Sequence, residues 1–404
     1  MKLWSKNDSL NKKIEKFTVG DDRYYDLFLA KYDVIASIAH AKMLCHTEII
    51  SKSEKNKLVD ELKSIKNDIE SGNFIIEDNF EDIHSKLEFL LIEKLGDIGK
   101  KIHTGRSRND QVLVATQLYL KNEILIIKKL IKKLFDILVS LAEKNKTKLL
   151  PGYTHLQIAM PSSFGIWFSS YAETLIDDII YLNTAYKINN QNPLGSAAGY
   201  GTSLNIDREY TTKKLGFETL KFNVASAQMS RGRSEKSVAI AIGSVAETLA
   251  RLCSDICLYM TKELNFISLD EEISTGSSIM PHKKNPDIFE LVRAKCNNIK
   301  GLTNQLNMIS TNLSSGYQRD MQLVKGKIID GIESIKDCIE ITSFSLKKIK
   351  TKDEILSNKN YDFIFSVEKL NNLIIDNGMS FREAYDKVST SIKNGNYSRS
   401  KRNK

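Results

Sequence analysis

A chain of 404 residues, 41% hydrophobic and 27% charged, can bury a large core and is long enough for two or three structural units. Its net charge of +9 raises a nucleic-acid role, but lysines and acids are interleaved along most of the sequence, as on solvated helix faces, and nucleic acid is not expected as a partner. No apolar run approaches the roughly 20 residues of a membrane span, and MKLWSKNDSL lacks the apolar core of a secretory signal, so no membrane role and a cytoplasmic location are expected.

Helix signals dominate in chain order. The segment DRYYDLFLAKYDVIASIAHA is apolar-periodic, and His40 and His46 within it read as structural. From Gln111 to Lys146 there is neither glycine nor proline, and Leu118, Ile124, Ile127, Leu130, Leu134, Leu138 and Leu141 recur at helical spacing. At about 1.5 Å per residue this is a rod of roughly 50 Å, too long to be buried alone. Phe164–Ile188, Val238–Leu264 and Asp320–Lys350 are further long helices, the second tolerating Gly243 and the third Gly326 and Gly331. Apolar stripes on more than one side imply a bundle that continues into partner subunits. Period-2 alternation is scarce, and the predicted fold class is all-α.

The five cysteines, Cys45, Cys253, Cys257, Cys296 and Cys338, are an odd number without CxxC spacing and read as reduced. Cys253 and Cys257 have the spacing of two ligands on one helix face. No histidine or third cysteine is near them in sequence, so small core hydrophobes are the better reading.

All five prolines fall in three stretches between the long helices: LPGYTHLQIAMPSS, NPLGSAAGYGTSL and STGSSIMPHKKNPD. Such polar interruptions on a rigid scaffold are where binding and catalytic groups collect. His84 in FEDIHSKLE, His103 in KIHTGRSRNDQ, His155 in PGYTHLQ and His282 lie in polar segments. The third stretch is the most demanding. Its NPD end reads as a helix start, with Asn285 as cap, Pro286 at the first helical position and Asp287 favourable to the dipole. Gly276, the hydroxyls of Ser277 and Ser278, and the cations Lys283 and Lys284 are left over, and they read as an anion-gripping loop hinged at Gly276. Serine is a poor base in water, so it could act as one only where cations and backbone N–H groups stabilise its alkoxide. That points to carbanion chemistry beside a carboxylate.

GSSIMPHKKNP resembles the signature loop of the fumarase, aspartase and argininosuccinate lyase superfamily, whose members cleave a Cα–N or Cα–O bond by β-elimination and release fumarate or a relative of it. KIHTGRSRNDQ, LPGYTHLQIAMPSS, GSAAGYGTSLNIDRE, DRYYDLFLAKYDVIASIAHA and SSGYQRDMQLVK resemble the argininosuccinate lyase branch, and the resemblance covers roughly Asp21 to Gly395. It implies cleavage of L-argininosuccinate to L-arginine and fumarate, the last step of arginine biosynthesis, without metal or organic cofactor. The implied assembly is a homotetramer whose central helices form one bundle, with each active site built from three subunits. The domains it implies are an N-terminal helical domain (1–105), a central long-helix bundle (106–350) and a shortened C-terminal helical domain with a basic tail (351–404).

By the same resemblance, Ser277 is the general base, Lys283 and Asn285 stabilise the carboxylate of the intermediate, and His155, beside Thr154, does acid–base work near the leaving group. Glu290 matches a carboxylate that hydrogen-bonds that histidine. Ser107, Arg108 and Asn109 match residues that hold the fumarate-forming part of the substrate, with Asp82 and His84 in the matching EDIH segment. Arg231 matches a substrate-contacting arginine, Tyr317, Gln322 and Lys325 groups around the arginine-derived part, and Ser37 an N-terminal contact. Plainer readings stand beside these. His84 is as well explained by a structural role, Arg106, Arg108 and Asp110 could form a salt-bridged loop, Tyr317 could be a packed aromatic, and His282 reads as solvated.

The sequence also departs from the pattern. It ends soon after FREAYDKVSTSIKNGNYS, where members usually run on; Ser230 stands where many have aspartate, and Asn205 where proline is common. The alternatives are an adenylosuccinate-cleaving member of the superfamily, against which HTGRSRND and YxRDxQxxK argue, and a catalytically silent, crystallin-like structural protein. The retained Ser277, Lys283 and His155 argue against the latter.

Overall fold

A computed structural model describes residues 11–398. The expectations drawn from MKLWSKNDSL and from the basic run after Ser398 lie outside the described residues. Between these limits the fold is all-α, a set of long helices with a few two-stranded ladders between them. The four long helices expected above are Arg108–Lys144, Phe164–Asn189, Arg233–Tyr259 and Gln322–Leu346, and Asp22–His46, at 25 residues, equals the last of them in length. The third starts earlier than its apolar periodicity predicts, because Gly232 (φ 83°) turns the chain and its N–H is taken by the Glu235 carboxylate at 2.7 Å. It also ends earlier, at a turn where Asn265 is left-handed (φ 51°). This helix has the length and apolar content of a membrane span, but its most apolar part is 61% buried within the chain itself, as in a core helix.

The described chain divides into two compact units. The first runs up to residue 129 and includes 178–247 and 295–337. Its main core joins Asp22–His46, Lys52–Glu70 and Ile83–Leu95 through Val34, Leu44, Leu58, Leu62, Ile83 and Leu87. A second core sets Ala36 and Ala39 against Val114, Leu194 and Phe217. The helix Asp22–His46 buries a stripe that is partly polar: Asp26, Asp33, Ser37 and His40 share it with Leu29, Ala30 and Leu44. Buried polar groups at helical spacing need partners, and each of these has one, described below. The helical glycines of Gln322–Leu346 give room to neighbours. A Cβ on Gly326 would stand 2.5 Å from the ring of Tyr25, and one on Gly331 2.6 Å from Leu302.

The second unit comprises 130–177, 248–294 and 338 onward. Here the stretch LPGYTHLQIAMPSS, expected as a loop, is an antiparallel hairpin of Leu149–Thr154 and Gln157–Ser163. Ile267–Leu269 pairs antiparallel with Ile349–Thr351. An aromatic cluster of Phe164, Trp167, Tyr171, Tyr259 and Phe266 packs beside it, and the half-buried Asp255 accepts from Trp167 Nε1 at 2.9 Å and Tyr171 Oη at 2.6 Å. Ser366–Asn377 and Phe381–Lys393 form a helical hairpin. Gly378 at φ 64° closes the first helix, and a Ser380/Glu383 capping box opens the second.

Candidate functional site

The predicted site residues fall into two groups, one in each unit. In the first unit Asp82, His84, Arg108, Asn109, Arg231, Tyr317, Gln322 and Lys325 line a single cavity of about 180 Å³, together with Asp22, Asp26, Glu81 and Arg319. Four carboxylates and four permanent cations face one small space, and local bonds fix their positions. Asp82 caps the helix Ile83–Leu95 through Ser85 N (2.9 Å) and pairs with Arg108 Nη2, while Arg108 Nη1 reaches Glu81 Oε2 at 3.3 Å. Burial works against the Asp82 carboxylate, but His84 and Arg108 outweigh it and hold the group well below the usual carboxylate range. Arg108 is thus salt-bridged to Asp82 and Glu81 rather than within a loop with Asp110, and the same side chain lines the cavity.

Lys325 is fully enclosed, with Asp22 at 2.9 Å and Asp26 in direct contact, and Asp26 also accepts from Ile83 N at 3.0 Å. Burial disfavours the ammonium, yet the two carboxylates raise its pKa overall. Gln322 donates to the Thr18 carbonyl at 2.8 Å, Arg319 reaches the same carbonyl at 2.9 Å, and the Arg231 guanidinium lies over the Tyr317 ring at 4.9 Å. His84, at the cavity wall, holds Asp33 Oδ2 at 2.7 Å from its Nδ1. Burial penalises the imidazolium, but Asp33, Asp82 and Asp26 overcome this and raise its pKa.

Ser37 and Ser107 do not line this cavity. Ser37 is buried behind it and accepts from Arg106 Nη1 at 2.9 Å; Ser107 accepts from Asn109 N at 3.2 Å and donates its own N–H to Asp110 at 2.9 Å. His40 is buried with a ring nitrogen 2.9 Å from the Thr104 carbonyl, and burial pushes its pKa down to about 3. The sequence reading passed over Asp22, Asp26 and Asp33. Their signal was present as acids on one stripe of an otherwise apolar helix, each a defect in the periodicity that calls for a buried partner.

In the second unit Lys283, Asn285 and Glu290 line a broad basin of about 1360 Å³ with His282, Lys284, Lys348 and Lys350. The flap from Thr275 to Asn285 is a short hairpin, Thr275–Gly276 pairing with Lys284–Asn285. Asn285 is thus committed to a ladder and does not cap the following helix, which starts at Asp287 rather than Pro286. Asp287 instead takes the hydroxyl of Thr275, and Lys284 reaches Glu271 at 3.0 Å. Ser277 Oγ accepts two backbone N–H groups, from Met280 at 3.0 Å and Ile279 at 3.3 Å. Thr154 and His155 stand exposed at the tip of the Leu149–Ser163 hairpin, where His155 (φ 53°) and Leu156 (φ 59°) are both left-handed. Two such residues in a two-residue turn match the twist of the strands, at a conformational cost for side chains other than Gly or Asn. Among the described residues no hydrogen bond joins Glu290 to His155. Nor does any group of three or more His, Cys, Asp or Glu among them come together as metal ligands would.

Comparison with known proteins gives this arrangement a context. The sequence model of the Lyase family matches residues 4–301. The argininosuccinate lyase of Bacteroides fragilis is 49% identical over 400 residues, covering 99% of this chain and 89% of that protein. That of Thermotoga neapolitana is 38% identical over 387 residues, 96% of this chain and 97% of the other. Among solved structures, a fumarate lyase:delta crystallin from Brucella melitensis bound to cobalt superposes with a TM-score of 0.79 at 18% identity, covering 96% of this chain and 87% of that one. A class II fumarase from Schistosoma mansoni gives a TM-score of 0.74 at 18% identity, over 95% and 91%. At such identities the solved structures speak for the fold alone. The near full-length matches place the chain more narrowly: it belongs to the argininosuccinate lyase family of the fumarase/aspartase superfamily.

Proposed function

We infer that the chain cleaves L-argininosuccinate to L-arginine and fumarate, closing arginine biosynthesis in the cytoplasm. The observation that carries this reading is 49% identity with an argininosuccinate lyase along 99% of the chain. The chemistry fits the groups available. A base removes a proton from the carbon beside a carboxylate, the electron pair becomes the new C=C bond, and the guanidino nitrogen leaves with its bonding pair and gains a proton. Ser277 is the base in this reading, and the N–H groups of Ile279 and Met280 aimed at its Oγ would stabilise the alkoxide. Lys283 and Asn285 receive the charge that builds on the carboxylate. His155, with Thr154, protonates the leaving nitrogen, and Glu290 orients that imidazole. The cavity residues Asp82, His84, Arg108, Asn109, Arg231, Tyr317, Gln322 and Lys325 bind substrate, with Ser37 and Ser107 behind them. Its mixed charge suits a ligand carrying both carboxylates and a guanidinium.

The reading includes a homotetramer with shared active sites. The long helices support it, because they keep apolar side chains outside as well as inside: Ile166, Ile176, Ile180 and Tyr181 on Phe164–Asn189 are all more than half exposed. In such an assembly Thr154, His155 and Ser277 would meet the cavity residues of neighbouring copies. The test is fumarate release from argininosuccinate, run beside adenylosuccinate and beside a native mass measurement. A tetramer that releases fumarate from neither substrate would remove the enzymatic reading, and release from adenylosuccinate alone would reassign the substrate.

A further inference from the structure

Asp110 has no place in the mechanism above, yet it is fully buried and its two oxygens accept three backbone N–H groups. One comes from Ser107, at 2.9 Å from Oδ1. The other two come from Gly195 and Ala197, both at 3.0 Å from Oδ2. Gly195 (φ 86°) and Ala197 (φ 51°) are left-handed, so their N–H groups turn toward one point and form a nest, a backbone concavity suited to an anion. Here the anion is a side chain of the chain itself. An L-residue such as Ala197 persists in that conformation only where its surroundings hold it.

The clamp joins two segments that bear on the binding cavity. On one side is the turn Ser107-Arg108-Asn109, of which Arg108 and Asn109 line the cavity. On the other is the loop 193–201, which touches two further parts of the same unit. A Cβ on Gly316, next to the cavity residue Tyr317, would lie 3.2 Å from the Tyr200 hydroxyl, and one on Gly199 would lie 3.1 Å from Gln228, three residues before Arg231. Arg208 braces the loop from behind, reaching the carbonyls of Leu194 at 3.0 Å and Lys221 at 2.8 Å. The charged groups around Asp110 are Arg106 and Arg208.

We propose that Asp110 is a positioning residue, whose carboxylate in the backbone nest locks the Ser107–Asn109 turn to the 193–201 loop and so sets Arg108 and Asn109 for the carboxylates of the substrate. The proposal rests on the lyase reading for its effect on catalysis, but the clamp itself can be tested without it. Asp110→Ala removes one carbon and two oxygens, the heavy-atom skeleton of formate, and leaves the nest vacant. In the full-length protein this variant is expected to raise the KM for argininosuccinate about tenfold or more, with kcat within about threefold of the parent. Sodium formate, but not sodium chloride at equal ionic strength, should lower that KM again and raise the variant's melting temperature with saturation, while doing neither to the parent.

Formate that leaves both quantities of the variant unchanged, or shifts parent and variant alike, overturns the proposal. So does a melting temperature restored without the KM, since the nest would then be filled without positioning anything. If Asp110→Ala fails to fold, Asp110→Asn serves, because it keeps the shape and turns one acceptor into a donor; an unchanged KM in that variant also overturns the idea. If the parent itself releases no fumarate, the lyase reading fails, and saturable stabilisation of Asp110→Ala by formate alone decides whether the clamp exists.

Discussion

The Nδ1 of His84 lies 2.7 Å from the Oδ2 of Asp33, and both side chains are almost wholly removed from solvent. Alone, a buried imidazole would stay neutral. Here burial is outweighed by Asp33, with Asp82 and Asp26 adding to it against the opposing charge of His103, so the folded pKa is raised. A raised histidine pKa contributes stability that is fully present below the unfolded value of about 6.5 and is lost as pH rises through the folded value. Asp33→Asn breaks a buried pair and should cost about 3–5 kcal/mol at pH 6. The gap to the parent should narrow as pH climbs past about 6.5. Urea midpoints across this range check it, and a gap that stays constant would show that His84 is neutral when folded.

Lys325 makes the opposite experiment possible, because there the cation is removed and the anions remain. Its ammonium is shared by Asp22 and Asp26. Lys325→Met keeps most of the buried stem but leaves two carboxylates facing each other, and a loss of about 3–5 kcal/mol is expected. The double variant Lys325→Met with Asp26→Asn should recover part of it. If the double variant is no better than the single, the carboxylates are not what the lysine compensates.

The sequence was most legible where physics is local. The rod Arg108–Lys144 follows from an unbroken run without glycine or proline, and its apolar spacing is read directly. The hairpin around His155 was hidden because Pro151 and Pro161 stand opposite each other in its ladder, and prolines without an N–H disguise a strand as a loop. Asn285 misled for a related reason: Asn-Pro-Asp is good helix-start chemistry, but the pairing of Thr275 with Asn285 takes that residue into the flap. Asp33 was legible only as an acid that calls for a buried partner, and nothing along the chain names His84, 51 residues on, as that partner. Asp110 was hidden as a functional residue, since two of its three donors, Gly195 and Ala197, lie 85 and 87 residues away. Patterns along the chain cannot announce a contact that only the fold creates.

Ser277→Ala separates the flap's chemistry from its shape. The hydroxyl accepts from Met280 N and Ile279 N, contacts within the flap itself, and the side chain is only half-buried. Its loss should therefore leave the melting temperature within about 2 °C of the parent, as for a surface substitution, while turnover falls by three orders of magnitude or about that, as for loss of a proton-transfer group. Substrate protection of the folded state should persist. Turnover above about a tenth of the parent value would remove Ser277 as the base.

His155 poses a harder question, because it occupies a strained position as well as a chemical one. With His155 and Leu156 both left-handed, a change of rate on substitution could come from the backbone of the turn rather than from the imidazole. Asparagine resolves the ambiguity, since it tolerates left-handed φ better than other side chains yet cannot carry a proton between pH 5 and 9. His155→Asn should keep or slightly raise the melting temperature and lower kcat about 10²-fold with little change in KM, the signature of a group that acts in the transition state. Leu156→Gly is the matching control: it relieves the second left-handed residue without touching the imidazole and should leave kcat near the parent value. If His155→Asn retains the parent kcat, the histidine serves the turn alone. If Leu156→Gly loses rate as severely as His155→Asn, the geometry of the tip, and not the proton, is what catalysis requires.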